Sequence, residues 1–366
     1  MRILHVDPAK TWRGGERQVF LLARELSRRG HDCSVAASPD SPLALECTRA
    51  GMRVHALSMR GDLDVVAVSR LARLLRRESP DILHLHTARA HGVGGLAAKI
   101  AGFRPVVVTR RVELPVRGLP SLWKYRFLAN HYIAISEEVA RSLERAGIPG
   151  ERISRIPSGI EIPPPEAGRP IPPSQKSRRT VGTLAAFTEQ KDPSTWMATA
   201  ILVCRRHTDV DFLWLGEGPL RRTLQEIGAR ENLGTQILLP GFQQDLAEFW
   251  RRIDVFFLPS RFEALGTSIL DALARGIPVV ASEVGGIPEV VRSGREGILV
   301  PPGHAEGFAR ALISILDDPG RAQALGSAGR ERALAFDIGP LAQRVETLYE
   351  ALASSPPKTQ GEALAR

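Results

Sequence analysis

Apolar positions along this chain fall into two rhythms that take turns. Arg2–Val6, Cys33–Ala37, Val54–Leu57, Ile82–His86, Val106–Thr109, Tyr132–Ile135 and Ile153–Ile156 are short, near-continuous runs rich in Val, Ile and Leu. That is the signature of strands covered on both faces. Between them the period lengthens. Gln18–Arg29 places Val19, Leu22, Ala23 and Leu26 on one helical face and stops at Gly30. Val65–Arg77 does the same with Val68, Leu71, Leu74 and Leu75, and Val93–Ala101 and Glu137–Ala146 are further helices of this half. Short apolar strands alternating with amphipathic helices predict a parallel sheet with helices on both sides.

The alternation breaks between Pro157 and Arg179, where seven prolines fall with little periodicity. Proline fixes φ and lacks an N–H, so this stretch reads as a linker. The alternation then restarts. Strands are expected at Thr180–Leu184, Phe212–Leu215, Ile237–Leu239, Val255–Leu258 and Val279–Ala281, and helices at Ser194–Arg206, Leu220–Glu231, Leu246–Arg252, Thr267–Arg275, Glu306–Leu316, Ala322–Ala335 and Leu341–Ala353. The expected organisation is a Rossmann-like α/β domain over 1–165, a proline-rich linker at 166–179 and a second such domain over 180–336. A terminal helix at 337–353 returns to the first domain, and a disordered tail follows at 354–366. Doubly wound sheets bind ligands outside the carboxyl ends of their strands, so chemistry is expected in the cleft that two such domains would leave.

Composition narrows the class without changing this picture. With 366 residues, 43% apolar and 24% charged, the chain is neither disordered, collagenous nor a coiled coil, and its length suits two domains. No run approaches the ~18 apolar residues of a membrane-spanning helix. Met1-Arg2 leads directly into Ile3-Leu4-His5-Val6, without a signal peptide's longer apolar core and cleavage site, so a cytoplasmic location is expected. Cys33, Cys47 and Cys204 are too scattered for a disulfide framework or a zinc site. Charge is more informative. The 49 basic and 40 acidic residues leave a net +9, and residues 1–130 hold 22 of the basic but only 11 of the acidic ones. The whole excess lies in the first third, which points to an anionic partner there: phosphate, nucleic acid or an acidic membrane surface. Leu119–Leu128 mixes aromatics and cations, and reads either as an amphipathic helix on an anionic leaflet or as a core helix with a charged outer face.

Several motifs sit where chemistry is expected. Trp12-Arg13-Gly14-Gly15-Glu16 follows the first strand, and its glycines suit close backbone approach to a ligand at a helix N-terminus. The densest stretch runs from Pro259 to Ser282. A strand end is followed by a loop with Glu263 and Gly266, and by a helix starting near Thr267 that carries Asp271. The amides of Gly266, Thr267 and Ser268 would face an anion. Glu263 and Asp271 should stand roughly 10–13 Å apart. That is wider than the ~5–9.5 Å of paired glycosidase carboxylates, and it suits the two ends of a long ligand. Gly285-Gly286-Ile287-Pro288-Glu289, Gly216-Glu217-Gly218-Pro219, Val181-Gly182-Thr183 with Lys191, and Pro80-Asp81-Ile82-Leu83-His84-Leu85-His86 complete the set.

Together these motifs resemble the family 4 glycosyltransferases, of the GT-B type with two Rossmann-like domains. The resemblance covers essentially residues 1–350. It implies transfer of a sugar from a nucleotide-diphosphate donor to a glycan or glycolipid acceptor, with retention and without a metal or other cofactor, in envelope polysaccharide or lipopolysaccharide synthesis. It places Glu263 on the donor sugar and Lys191 on the diphosphate, both as catalytic residues. Asp271 stands where the family has a ribose-binding Glu. Gly15, Gly266, Thr267 and Ser268 fall beside the phosphates, and Gly241 and Phe242 beside the nucleobase. Thr183 stands at an expected Arg, and Thr109-Arg110-Arg111 replaces a T-x-H strand end. Glu16, His86, His91, Arg110 and Arg111 are candidates for the acceptor or sugar side. The first domain would bind the acceptor, with peripheral attachment to an anionic membrane and no nucleic acid. Three alternatives stay open: a GT-B epimerase acting on the donor alone, a basic nucleic-acid-binding protein suggested by the pI of ≈ 10.1, and a catalytically inactive sugar-nucleotide binder.

Overall fold

The computed structural model describes residues 1–112, 116, 118–164 and 177–354. Most of the expected proline-rich linker and all of the tail beyond Ser354 lie outside the described residues. The chain forms two compact units, Met1–Gly159 together with the segment from Ile338 onward, and Ile160–Asp337.

The amino-terminal unit is built from β1 (Arg2–Asp7), α1 (Gly14–Arg28), β2 (Asp32–Ala37), α2 (Pro42–Arg49), β3 (Arg53–Ala56), α3 (Val65–Glu78), β4 (Ile82–Leu85), α4 (Ala88–Ala101), β5 (Val106–Arg110), α5 (Leu119–Phe127), β6 (His131–Ala134), α6 (Glu137–Arg145) and β7 (Ile153–Arg155). Its seven strands are all parallel, in the order β3-β2-β1-β4-β5-β6-β7. The order reverses between β1 and β4, and a doubly wound sheet binds its ligands at the carboxyl ends of such a pair. Three elements depart from the sequence expectation, the first being α4, which starts at Ala88 and not Val93 because the Thr87 hydroxyl caps the Ala90 amide at 3.0 Å. α1 starts at Gly14, ahead of the first periodic residues, because the Glu16 carboxylate reaches back over two helix-poor glycines to accept the Arg13 amide at 2.6 Å. α2 was not anticipated at all. Its eight residues carry too little periodicity to read, but Ser41 caps the Ala44 amide at 3.3 Å and Pro42 occupies the first turn.

The carboxy-terminal unit contains β8 (Arg179–Leu184), α7 (Pro193–Arg206), β9 (Val210–Leu215), α8 (Arg221–Arg230), β10 (Ile237–Gly241), α9 (Ala247–Arg252), β11 (Val255–Leu258), α10 (Thr267–Ala274), β12 (Val279–Ser282), α11 (Ile287–Val290), β13 (Gly297–Val300), α12 (Ala305–Leu316) and α13 (Pro319–Ala333). Its six strands are again all parallel, in the order β10-β9-β8-β11-β12-β13, with the reversal between β8 and β11. Trp196, Phe212, Trp214, Phe257 and Phe308 fill its core without exposure to solvent. The last helix, α14 (Ile338–Ser354), packs on α1 in the amino-terminal unit, and its Leu341, Val345 and Tyr349 join a core with Ile3, Val19, Leu26, Ile82, Val107 and Ile133.

Candidate functional site

In the carboxy-terminal unit the reversal point gathers the motif residues. The chain leaves β8 through Ala185–Phe187 and turns through Glu189–Lys191. It leaves β11 through Pro259–Phe262 and reaches Glu263. The two loops are zipped together. The Arg261 amide donates to the Gln190 carbonyl at 2.9 Å, Gln190 Nε2 to the Phe262 carbonyl at 3.1 Å, and the Arg261 guanidinium to Asp192 at 3.3 Å. Lys191 Nζ donates directly to the Glu263 carboxylate, and both side chains are largely buried. The Gly286 amide holds the Glu263 carbonyl at 3.0 Å, which gives the Gly285-Gly286 motif a local task. Gly266 then opens α10 at φ +81 and, as its N-cap residue, has no side chain to cap the helix N-terminus formed by Thr267 and Ser268. Such a terminus presents partial positive charge on the same loop as Glu263.

The turn after β9 supports this arrangement. Gly216 has φ +151, and a Cβ there would meet the Ala185 carbonyl oxygen at 2.0 Å. The Phe187 amide donates to the Glu217 carbonyl at 3.1 Å, so the Gly-Glu-Gly-Pro turn lies flat against the loop that leads to Lys191. Glu217 also accepts the Phe242 amide at 3.1 Å, placing Gly241 and the exposed Phe242 beside that turn. Asp271 is buried one turn into α10. Its carboxylate lies 3.8 Å from Arg275, which also donates to the Asp271 carbonyl at 2.8 Å. Thr183 does not stand in for a missing site cation. It is fully buried, donates to the Phe257 carbonyl at 2.7 Å and accepts Trp196 Nε1 at 2.8 Å, so that strand position faces the core.

In the amino-terminal unit three strands change character as they approach their carboxyl ends. Alternate residues share a face of a strand, and on each strand they run from apolar to polar to charged or titratable: Ile3-His5-Asp7, Ile82-His84-His86 and Val107-Thr109-Arg111. His5 and His84 are paired in register across β1 and β4. His84 contacts the Tyr349 hydroxyl through Nδ1 and Thr109 Oγ1 through Nε2 at 2.7 Å. Arg111 Nη1 lies 3.2 Å from His86 Nδ1, and His86 Nε2 lies 3.0 Å from His5 Nδ1. A guanidinium only donates, so His86 Nδ1 accepts, His86 carries its proton on Nε2 and passes that donor to His5. The chain therefore has one direction, from Arg111 to His86 to His5, and it ends on His5 Nε2, which is buried and has no partner among the described residues. Burial holds all three imidazoles neutral, with His5 lowered to about 3 and His84 and His86 well below the usual range. These rings bring their nitrogens within 4.8 Å of one another, close enough for a metal ion. Every nitrogen except His5 Nε2 already has a hydrogen-bond partner, and Arg111 adds a like charge, so the set is better suited to orienting Arg111 than to holding a cation. Burial lowers Arg111 to about 10 against the opposing pull of Asp7 and Glu16, and burial raises Asp7 to about 6.

Two of the expected acceptor-side residues belong elsewhere. Arg110 is buried, donates to the Tyr125 hydroxyl and lies 5.1 Å from the Tyr125 ring centre. Its side chain is spent inside the unit because strand alternation sends it to the face opposite Arg111. His91 is fully buried between Tyr125 and Tyr132, at ring-centre distances of 4.7 and 5.9 Å, and burial lowers it to about 3. It is a packing residue of α4. Glu16 is engaged in the α1 cap, one residue beyond Gly15. The sequence reading passed over His5, Asp7 and Tyr349. The two-residue spacing of polar side chains along β1 was the available signal for the first two, whereas nothing local marks Tyr349.

Two doubly wound parallel sheets, each with its titratable residues at the strand reversal, define a GT-B-type protein. Residues 12–162 match the model of Glycosyltransferase Family 4, and residues 178–318 match that of Glycosyl transferases group 1. The chain belongs to the family 4 glycosyltransferases and is a transferase of that class. Among curated relatives, the N-acetyl-alpha-D-glucosaminyl L-malate synthase of Bacillus anthracis is 24% identical, with 90% of this chain and 91% of that protein covered. The phosphatidyl-myo-inositol mannosyltransferase of Mycobacterium leprae is 26% identical, with 95% of each covered. Among solved structures, Anabaena HepE in complex with UDP and glucose superposes with a TM-score of 0.83 at 21% identity, covering 96% of this chain and 100% of that one.

Proposed function

We propose that this glycosyltransferase takes its sugar from a nucleotide-diphosphate donor and transfers it, with retention, to a glycan or lipid-linked acceptor of envelope polysaccharide or lipopolysaccharide synthesis. One observation carries the donor assignment. Lys191 and Glu263 meet on loops leaving β8 and β11, at the strand reversal, and Glu263 shares its loop with the uncapped N-terminus of α10. A diphosphate satisfies both the lysine and the helix terminus. It would draw Lys191 away from Glu263, leaving that carboxylate to accept hydrogen bonds from sugar hydroxyls. Gly241 and Phe242 would flank the base, and Asp271 would reach the ribose. In the transfer step the bond from the anomeric carbon to the distal phosphate oxygen breaks. The acceptor oxygen bonds that carbon on the same face, and the departing phosphate takes the acceptor's proton. Lys191 and the α10 amides stabilise the charge that grows on the phosphate, the task that a divalent metal performs elsewhere. Arg111, oriented by His86, would face the acceptor side.

Relatives and neighbours support this reading by what they handle. HepE has been solved with UDP-glucose, and an Escherichia coli relative is a UDP-Gal:alpha-D-GlcNAc-diphosphoundecaprenol alpha-1,3-galactosyltransferase, 24% identical over 70% of this chain. The test is a thermal-shift screen of UDP-, GDP- and ADP-sugars, with and without EDTA. One nucleotide should raise Tm, and equally so in the chelator. No shift with any of them, or a shift abolished by EDTA, would contradict the reading.

A further inference from the structure

Helix α5 presents an apolar stripe to solvent. Leu119, Trp123 and Phe127 recur every fourth residue and so share one face, and they are 83%, 50% and 54% exposed. The Trp123 and Phe127 rings lie tilted against each other at 6.1 Å between centres, and among the nine residues of this helix only Tyr125 is buried. The expected alternative, a core helix with a charged outer face, is therefore not what forms. A second exposed apolar group lies at the start of α3: Leu63, Val65 and Val66, at 79%, 77% and 60%. The two groups are tied together. Lys124 Nζ pairs with Asp62 at 2.6 Å and donates to the Ala88 carbonyl at 3.2 Å, joining α5 to the loop before α3 and to the first turn of α4. Exposed Arg60, Arg89 and Arg126 stand on these same segments. Over 99–127 the exposed basic side chains among the described residues are Lys99, Arg104 and Arg126.

We propose that this face of the amino-terminal unit docks on an anionic lipid surface, with Leu119, Trp123, Phe127 and Leu63 entering the interface and the arginines meeting lipid phosphates. An aromatic pair held on a short helix and fringed by arginines has the composition of an interfacial element. The charge excess selects a negatively charged partner, and three large apolar side chains in line select one with an apolar interior. A nucleic acid satisfies the first condition and not the second. The inference deepens the proposed function, since an enzyme docked this way would meet a lipid-linked acceptor in the plane of the bilayer.

The experiment is co-sedimentation of the full chain with phosphatidylcholine vesicles, with and without phosphatidylglycerol, and without any sugar substrate. Binding should require the anionic lipid and weaken at high salt. Trp123→Ser with Phe127→Ser should lower partitioning by at least about tenfold. The double variant should keep the parent's Tm and its Tm shift with sugar nucleotide, which separates docking from the donor assignment. Absence of binding to either vesicle, equal binding to both, or unchanged partitioning of the double variant would overturn the proposal. So would light scattering that shows a dimer dissociated by the same two substitutions, because the stripe would then be covered by a second copy. If the double variant unfolds, the parent's lipid and salt dependence still decides the matter.

Discussion

Tyr349 shows how much a single side chain can carry. It comes from the last helix, yet its hydroxyl meets the buried Nδ1 of His84, in the row of polar residues behind the strand ends. Removing that hydroxyl leaves a buried imidazole nitrogen without its partner, and such losses cost about 1–3 kcal/mol. Tyr349→Phe should therefore lower unfolding stability by that amount in a denaturant titration, with no change in sugar-nucleotide binding. Stability equal to the parent's would show that the contact contributes nothing. The same row explains why Arg110 and Arg111, adjacent in sequence, have different fates. Alternation sends one to Tyr125 and the other to His86. The sequence offered both as site residues because composition cannot tell the two faces of a strand apart.

Among the elements, the strands and the long helices were legible because their apolar periods are unmixed. The Glu263–Asp271 stretch was legible because a strand end, a glycine and a helix start fall in order. What could not be read were elements whose signal is short or borrowed. α2 depends on the Ser41 cap and Pro42, and β13 is only four residues long and opens on a glycine. Thr183, which stands at the family's Arg position, depends in a similar way on a distant partner. Thr180 to Thr183 of β8 are all buried, and what Thr183 does there is decided by Trp196, thirteen positions away. The Gly216 turn offers a test at this scale. Gly216→Ala would force a Cβ against the Ala185 carbonyl and displace the loop that carries Lys191. Overpacking of this kind costs about 1–3 kcal/mol. The variant should lose that much stability and at least about tenfold in donor affinity, if the lost positioning is worth ~1.4 kcal/mol. A variant that loses stability but binds the donor as the parent does would mean that the turn does not position Lys191.

For the whole molecule, the histidines divide the two units. Burial depresses His5, His84, His86, His91 and His131, and all five lie in the amino-terminal unit. The unfolded chain takes up protons on them near pH 6.5, whereas the folded unit takes them up only far lower, at about 3 for His5 and His91 and about 4 for His131. Their contribution is therefore complete above the unfolded value and lost as pH falls below it, at about 1.4 kcal/mol per pH unit for each histidine. Asp7, raised to about 6, works in the opposite direction but is a single group. Between pH 6.5 and 5, calorimetry or hydrogen exchange should show the amino-terminal unit failing first. Simultaneous loss of both units, or earlier loss of the carboxy-terminal one, would refute this. Among the described residues no helix is long and apolar enough to cross a membrane. The account as a whole rests on Lys191 and Glu263 forming the diphosphate end of a donor site, and calorimetric titration of the sugar nucleotide picked out by the thermal screen into the parent and Lys191→Ala reads this directly. A loss of about 10²–10³ in affinity or turnover at unchanged Tm is the expected result, and a variant that binds and turns over the donor as the parent does would contradict it.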